Sequence, residues 1–275
     1  MERIDSHLHV NFGGLTSHKL VRYLDKHKLD ACWLLTWEEK NPPIPEIYQE
    51  LPFREIMEAK EKYPDRIIPF FAADPTAEDG LQRMKAFFNN GGAGCGELKV
   101  AMEWDDPRLD PYLAFLNEQK SALVIHMEYP HTCYLKSGES IPAKIMFRLM
   151  TSAFNEEARK HVLKFSQATG IFKKHLQAFS KFKPGYLHDF DKMAKRIEQF
   201  RNINFIGHGP HFWNHFSINT DMYYIHYKAK VKGPGKVDEF LEKYDNFYCD
   251  ISGNSGFFAL NRDLAYTRKF LDKHA

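Results

Sequence analysis

The stretch from residue 4 to residue 37, IDSHLHVNFGGLTSHKLVRYLDKHKLDACWLLTW, contains one complete strand–helix–strand unit. Its two ends, Ile4 to Val10 and Ala31 to Trp37, are short runs rich in β-branched or aromatic residues, as is typical of strands. Between them, Ser17 to His27 carries apolar residues at helical spacing. Because a helical connection joins parallel strands, this stretch predicts an α/β fold built on a parallel sheet.

The same unit recurs along the chain. Further strands are predicted at Ile67 to Ala73, Gly96 to Met102, Ala122 to Glu128, Ile203 to Gly209 and Phe247 to Ser252. Helices are predicted at Pro52 to Tyr63, Ala77 to Phe88, Pro111 to Gln119, Asp189 to Phe200, Lys236 to Tyr244 and Asn261 to His274. Seven such strands favour a TIM (β/α)8-type barrel over an open sheet. No eighth strand follows before Ala275, so we expect a truncated barrel, or one whose last part is absent from this sequence.

The connection between the fifth and sixth predicted strands is far longer than an ordinary strand–helix loop. We predict a single barrel domain over residues 1–275 that carries a helical insertion at residues 134–188, with helices at Ser140 to Gln167 and Gly170 to Lys181. From Lys136 to Phe200 the sequence has 13 Lys or Arg and 6 Asp or Glu. Two interpretations stay open: a lid over the active-site face, or a surface that packs on the barrel rim or another subunit.

Composition excludes several classes of protein. The 275 residues include 38 Lys or Arg and 36 Asp or Glu, a balance that gives no reason to expect a nucleic-acid partner. No apolar run approaches the ~20 residues that cross a bilayer, so no membrane span is expected. The first residues lack the apolar core of a secretory leader, which predicts a cytoplasmic location. Four scattered cysteines are too few for a disulfide scaffold.

Histidines mark the ends of three predicted strands. His7 and His9 end the first strand, two residues apart, so their side chains share one face. His126 ends the fifth strand and His208 the sixth. Because barrel cores are filled mainly by Val, Ile and Leu, packing alone does not explain this pattern. The four histidines predict a metal site that suits Zn, Mn or Fe rather than Ca or Mg.

The fourth predicted strand carries two charged residues on one face, Glu97 and Lys99. The glycines before them do not form a dinucleotide motif, because there a strand must precede the glycines and a helix must follow. Buried charges are costly unless they are paired or bound to a metal. Two interpretations remain: Glu97 is a metal ligand and Lys99 contacts a substrate carboxylate, or the two form a structural ion pair.

Five motifs resemble the amidohydrolase superfamily, especially the amidohydrolase-related branch that includes aminocarboxymuconate semialdehyde decarboxylase. They are Asp5-x-His7-x-His9, Gly94-x-Gly96-Glu97-x-Lys99 with Asp105-Asp106-Pro107-Arg108-Leu109 after it, His126, Ile206-Gly207-His208-Gly209 and Asp250-Ile251-Ser252-Gly253. The resemblance implies a metal-dependent barrel in which His7, His9 and His126 are ligands. It also implies that His208 binds or activates the water or the substrate.

One expected feature of that superfamily has no counterpart here. The resemblance implies a metal-binding aspartate at the end of an eighth strand, and the sequence ends before that position. Asp250 lies on the seventh predicted strand, in a segment similar to the superfamily's own seventh-strand motif. We therefore interpret Asp250 as structural.

These observations lead to a functional hypothesis. We expect a metal-dependent hydrolase, with zinc as the first choice of metal and manganese or iron as alternatives, in which activated water attacks an amide, lactone or related bond of a small anionic substrate. Lys99 and Trp213 are predicted to contact the substrate, whereas His211 and His215 are interpreted as loop residues. The alternatives are a decarboxylase of an unsaturated acid and an inactive barrel that serves as a scaffold. Nucleic-acid binding through the basic insertion is a weaker third hypothesis, and self-association stays open.

Overall fold

The computed structural model describes residues 3–39, 50–129, 185–220 and 226–274, together with the backbone of two short strands at 134–135 and 176–178. Within these residues, no helix has the length and apolar character needed to cross a membrane.

Seven strands form one parallel sheet. They are β1 (Ile4–Leu8), β2 (Ala31–Leu35), β3 (Ile67–Phe70), β4 (Gly94–Leu98), β5 (Ala122–His126), β8 (Asn204–His208) and β9 (Phe247–Cys249). They follow one another across the sheet in chain order, and β8 pairs directly with β5. The predicted seven-stranded TIM-type fold is therefore confirmed.

Helices alternate with the strands along the chain. They are α1 (Ser17–His27), α2 (Phe53–Lys62), α3 (Gly80–Asn89), α4 (Leu109–Glu118), α5 (Phe190–Gln199), α6 (Pro210–Asn214), α7 (Lys236–Lys243), α8 (Gly253–Leu260) and α9 (Leu264–His274). Among the described helices, α1 and α5 begin with a side-chain cap. For α5, the side chain of Asp189 accepts a hydrogen bond from the backbone N–H of Lys192 and so caps the helix.

The sheet curls, and each face has its own core. Inside the curl, a small layer contains Leu35, Phe70, Val124 and Ile206. Outside it, a much larger core packs the helices on the strands, with Leu20, Leu24, Met193 and Ile197 among its members. The curl brings β1 towards β9. A contact shows this closeness: a ring nitrogen of His7 on β1 meets the carboxylate of Asp250, directly after β9. Side chains at successive strand ends therefore face one another.

The structure differs from the sequence predictions in several places, of which the following concern whole elements or their starts. β4 begins at Gly94, two residues before the predicted start, because glycines allow the close packing of Phe70 there. The C-terminal segment forms two helices, α8 and α9, where one was expected. Residues 176–178 form β7, which pairs antiparallel with β6 (Tyr134–Leu135), although a helix was predicted at Gly170 to Lys181. The predicted helix Ser140 to Gln167 lies outside the described residues.

Candidate metal centre

Charged and histidine side chains meet above the inner layer of the sheet. Along β5 and β8, His126 and His208 follow Val124 and Ile206 by two residues, so they share the face of that layer. The two histidines are register partners across the sheet. Together with side chains from β1, β4 and the end of β9, they line a cavity of about 360 Å³. We use the term first cluster for six side chains at this cavity or directly behind it: His7, His9, Glu97, His126, His208 and Asp250.

His7 and His9 point one ring nitrogen each at the same place. Their Nε2 atoms are 3.1 Å apart, a distance that suits two ligands of one ion. Each ring is held from its other side. His9 Nδ1 lies 2.8 Å from the carbonyl oxygen of Leu35, and His7 Nδ1 contacts the Asp250 carboxylate. Partners at Nδ1 fix the tautomer that leaves Nε2 with a lone pair for a metal.

His208 repeats this arrangement. Its Nδ1 is 3.3 Å from Asp250 Oδ2 and 3.4 Å from the hydroxyl of Ser252. Its Nε2 is 3.6 Å from Glu97 Oε1. Asp250 therefore holds His7 and His208 from behind, and both rings direct Nε2 towards the cavity.

Glu97 supplies the negative charge at the centre of the first cluster. Its Oε1 is 2.6 Å from His126 Nδ1, and its Oε2 is 3.8 Å from His9 Nε2. Burial alone raises the pKa of the Glu97 carboxyl, but the charges of His126, Lys99 and His208 lower that pKa well below its usual range. Glu97 is therefore ionised at neutral pH, as a ligand carboxylate must be.

His126 is engaged differently from the other three histidines. Glu97 faces its Nδ1, and Glu128 Oε1 lies 3.4 Å from its Nε2. Burial lowers the pKa of His126, but the charge of Glu97 and the hydrogen bonds with Glu128 and Glu97 together outweigh burial, and the net shift is upward. In this arrangement both ring nitrogens face carboxylates.

Among the described residues, one group has three ligand atoms within 4.8 Å of one another: His7, Glu97 and His208. Two imidazoles and one carboxylate form a donor set that transition metals such as zinc accept. His9 joins this group through the 3.1 Å approach of its Nε2 to His7. These residues therefore fit a divalent metal ion.

The structure places Asp250, which the sequence analysis interpreted as structural, inside the first cluster. Burial raises the pKa of Asp250, but hydrogen bonds with His208 and His7 lower it far below the usual range. The carboxylate is 3.3 Å from His208 Nδ1. The sequence pattern could have indicated this position, because Asp250 comes directly after a strand and His126 and His208 are the last residues of theirs.

The wall of the cavity combines one ammonium group with apolar side chains. Lys99 Nζ lies 4.4 Å from the ring centroid of Trp37, and Phe12 and Leu15 line the same cavity. Burial lowers the pKa of Lys99, whereas Glu97, Glu128 and Glu39 act to raise it. Glu97 lies on the same face of β4 as Lys99, but its carboxylate also approaches the imidazoles of His126 and His208. Glu97 and Lys99 are therefore not an isolated ion pair.

The indole of Trp213 lies behind the cavity wall. Trp213 is buried in the outer core, and its Nε1 donates a 2.9 Å hydrogen bond to the backbone carbonyl of Asp250. It is not among the described residues that line the cavity, whereas Lys99 is. Trp213 therefore supports the end of β9 and not a substrate surface.

The chain is similar to several solved structures at low sequence identity. No protein-family model matches the sequence, and no curated protein matches it. One similar structure is a candidate amidohydrolase from Staphylococcus aureus, with 11% identity over 95% of this chain and 84% of that chain, at a TM-score of 0.48. Another is 2,6-dihydroxybenzoate decarboxylase in complex with 2,6-dihydroxybenzoate, with 13% identity over 100% of this chain and 92% of that chain, at a TM-score of 0.44.

A third is a candidate 2-pyrone-4,6-dicarboxylic acid hydrolase from Acinetobacter baumannii with citric acid bound. It shares 17% identity over 47% of this chain, at a TM-score of 0.34. The match spans about half of that relative, 51% of its chain. The names of these neighbours include both hydrolases and a decarboxylase.

Proposed function

We propose that this protein is a metal-dependent hydrolase that acts on an amide, lactone or related bond of a small carboxylate substrate. The observation that carries the proposal is the convergence of His7, Glu97 and His208, whose ligand atoms lie within 4.8 Å of one another. Ordinary packing does not require such a group, because buried charges and imidazoles are costly to collect at one place.

His7, His9, His208 and Glu97 would hold the ion. The partners behind the rings favour this assignment, since Asp250 and the carbonyl of Leu35 occupy the Nδ1 side and leave Nε2 towards the cavity. Zinc is the first choice, because imidazole and carboxylate ligands suit it, and manganese or iron accept the same set. When bound, a divalent ion lowers the pKa of water and polarises a carbonyl group as a Lewis acid.

The side chains of the chain itself have separate roles in this proposal. His208 holds a proton at Nδ1, towards Asp250, so the lone pair of its Nε2 would be the one that holds the ion. Asp250 keeps the rings of His7 and His208 in that tautomer from behind. Lys99 binds the substrate carboxylate, and the apolar wall of Trp37 and Leu15 excludes water from it.

Decarboxylation of an unsaturated acid is the second candidate. The apolar wall formed by Phe12, Leu15 and Trp37 favours it, because a carboxylate that loses its hydration shell loses carbon dioxide more readily. Product analysis separates the two reactions, since hydrolysis consumes water and releases no gas.

Metal analysis of the purified protein is the decisive experiment. We expect about one equivalent of Zn, Mn or Fe at the first cluster, and we expect that equivalent to be lost in His7→Ala and His208→Ala. A matched control is His27→Ala, an exposed histidine on α1. Retention of metal in the control but not in the two variants would justify a screen of amides, lactones and unsaturated acids. A chain that takes up no metal after loading would instead be an inactive barrel.

A further inference from the structure

A second cavity lies beside the first, at the same end of the sheet. Its volume is about 220 Å³, and it is lined by three histidines, His188, His211 and His215, with Tyr129, Phe190 and charged residues around them. Tyr129 follows β5 and His211 follows β8, and the backbone N–H of His211 donates a hydrogen bond to the carbonyl of Met127. The chain turns sharply to reach it at Gly209, whose φ of +99° places it in the left-handed region.

Three ring nitrogens in this cavity have no hydrogen-bond partner. Within the described residues, His188 Nδ1, His211 Nδ1 and His215 Nε2 are all buried and unpartnered. Buried polar atoms are nearly always hydrogen-bonded, so three such nitrogens around one space indicate a ligand or ordered water. His211 is only 4% exposed, and its ring cannot turn to bulk solvent instead.

The spacing of these histidines is that of a chelating set. His211 and His215 are four residues apart on α6 and its C-cap, so both lie on one side of a helical turn. Their ring centroids are 4.7 Å apart, and those of His188 and His211 are 5.8 Å apart. In the first cluster, the ring centroids of His7 and His9, both proposed ligands, are 4.8 Å apart.

The rings carry the protonation state that metals require. Burial lowers the pKa of His211 well below its usual value, and the neighbouring His215 and His188 lower that pKa further. Burial, and then the charge of Lys236, lowers the pKa of His215 to about 4. All three imidazoles are therefore neutral at pH 7, and a neutral imidazole is the form that binds a metal.

We propose that His188, His211 and His215 bind a second transition-metal ion of the zinc class, separate from the first cluster. The three nitrogens do not lie within 4.8 Å of one another as those of His7, Glu97 and His208 do, so the rings must turn as the ion enters. His188 and His215 are only partly buried and face the cavity, which leaves room for that rotation. Weaker binding than at the first cluster follows, because the second site pays for this reorganisation.

Titration with Co²⁺, a visible stand-in for Zn²⁺, tests the proposal in the full chain without an activity assay. We expect two binding events in the unaltered protein, and His215→Ala is expected to remove the weaker one. His7→Ala is expected to remove the stronger event and leave the absorption of the second site. His27→Ala, on the exposed surface of α1, is the matched control and is expected to change neither.

Thermal unfolding followed by circular dichroism accompanies each titration. His211 is deeply buried, so His215→Ala and His188→Ala, which alter partly buried residues, carry the test if His211→Ala fails to fold. The proposal is overturned if the unaltered chain shows one binding event only and His7→Ala removes it, or if the weaker event persists in both His215→Ala and His188→Ala. The first result would assign the three nitrogens to ordered water. Because His7→Ala is read separately, failure of the first cluster to bind metal remains distinguishable.

Discussion

The two histidine clusters differ in the hydrogen-bond partners that hold each imidazole ring. In the first cluster, Asp250 holds the Nδ1 side of His7 and His208, and the carbonyl of Leu35 holds that of His9. In the second, no hydrogen bond or ion pair among the described residues joins a carboxylate to His188, His211 or His215. Outer partners fix the tautomer and the direction of a ring, so the first cluster is organised before a metal arrives.

The origin of the difference is where each set lies on the fold. Residues of the first cluster are at or near strand ends, and the sheet holds neighbouring strands at a fixed spacing. Those of the second are on the five-residue helix α6, its C-cap and the segment before α5. The sheet therefore fixes the side chains of the first cluster before a metal binds. We expect substitutions in the two clusters to change metal binding by different amounts.

The largest expected effect is the loss of Glu97. Glu97→Ala leaves His9, His126 and His208 around a space that has lost its central carboxylate, so metal affinity at the first cluster should fall more than about 100-fold. Elemental analysis after dialysis, with Co²⁺ titration, measures it. The second cluster should keep its absorption, and an equal loss at both clusters would show that they are not separate sites.

Asp250→Asn tests the outer partner of the first cluster with a smaller change. The amide keeps the shape of the side chain but not the charge that favours the ligating tautomers of His7 and His208. Metal affinity should fall by about 10–100-fold, as it does when other outer partners are removed. Competition with a metal chelator gives the affinity, and Asp272→Asn on the exposed face of α9 is the control. An unchanged affinity would remove Asp250 from the site.

The sequence predicts the sheet and most of the first cluster because both depend on local pattern. Runs such as Ala122 to Glu128 show the β-branched composition of a buried strand, and His126 marks the end of the observed strand β5. The convergence of several strand ends then follows from the parallel sheet. By the same reasoning Asp250 could have been included, but the resemblance to a superfamily with an eighth-strand aspartate led to a structural interpretation.

The second cluster could not be predicted in this way. His211 and His215 were expected in a loop, and the structure places them on a short helical turn that has no amphipathic signal of its own. Tyr129 packs against the rings of both His188 and His211, a long-range arrangement that no spacing in the sequence encodes. The predicted substrate contact of Trp213 differs from its observed position for a related reason. Its indole is buried against the segment after β9, and the sequence does not show where β9 lies.

The pH dependence of stability in metal-free protein tests the second cluster through one residue, His215. The pKa of His215 is about 4 in the folded chain, against its ordinary value of 6.5, so the unfolded chain binds more protons between these two pH values. The contribution of His215 to the free energy of unfolding is therefore fully present above pH 6.5. It is lost as the pH falls to about 4, by at most about 1.4 kcal/mol per pH unit. His215→Gln should flatten the slope in urea unfolding at pH 7.5 and pH 5 with a chelator present. An unchanged slope, or the same flattening in His27→Gln, would contradict this assignment.

The smallest expected effect concerns the charge beside the second cluster. Burial is the main cause of the low pKa of His215, and the ammonium of Lys236 is the second. Lys236→Gln removes that charge, so the pKa of His215 should rise while remaining below its usual value. Titration of the imidazole resonances by NMR measures the shift in metal-free protein. Lys243→Gln, on an exposed lysine of the same helix, should leave that pKa unchanged, because Lys243 pairs with Glu198 instead. Equal shifts in both variants would mean that the net charge of the protein, and not the geometry of this cavity, controls His215.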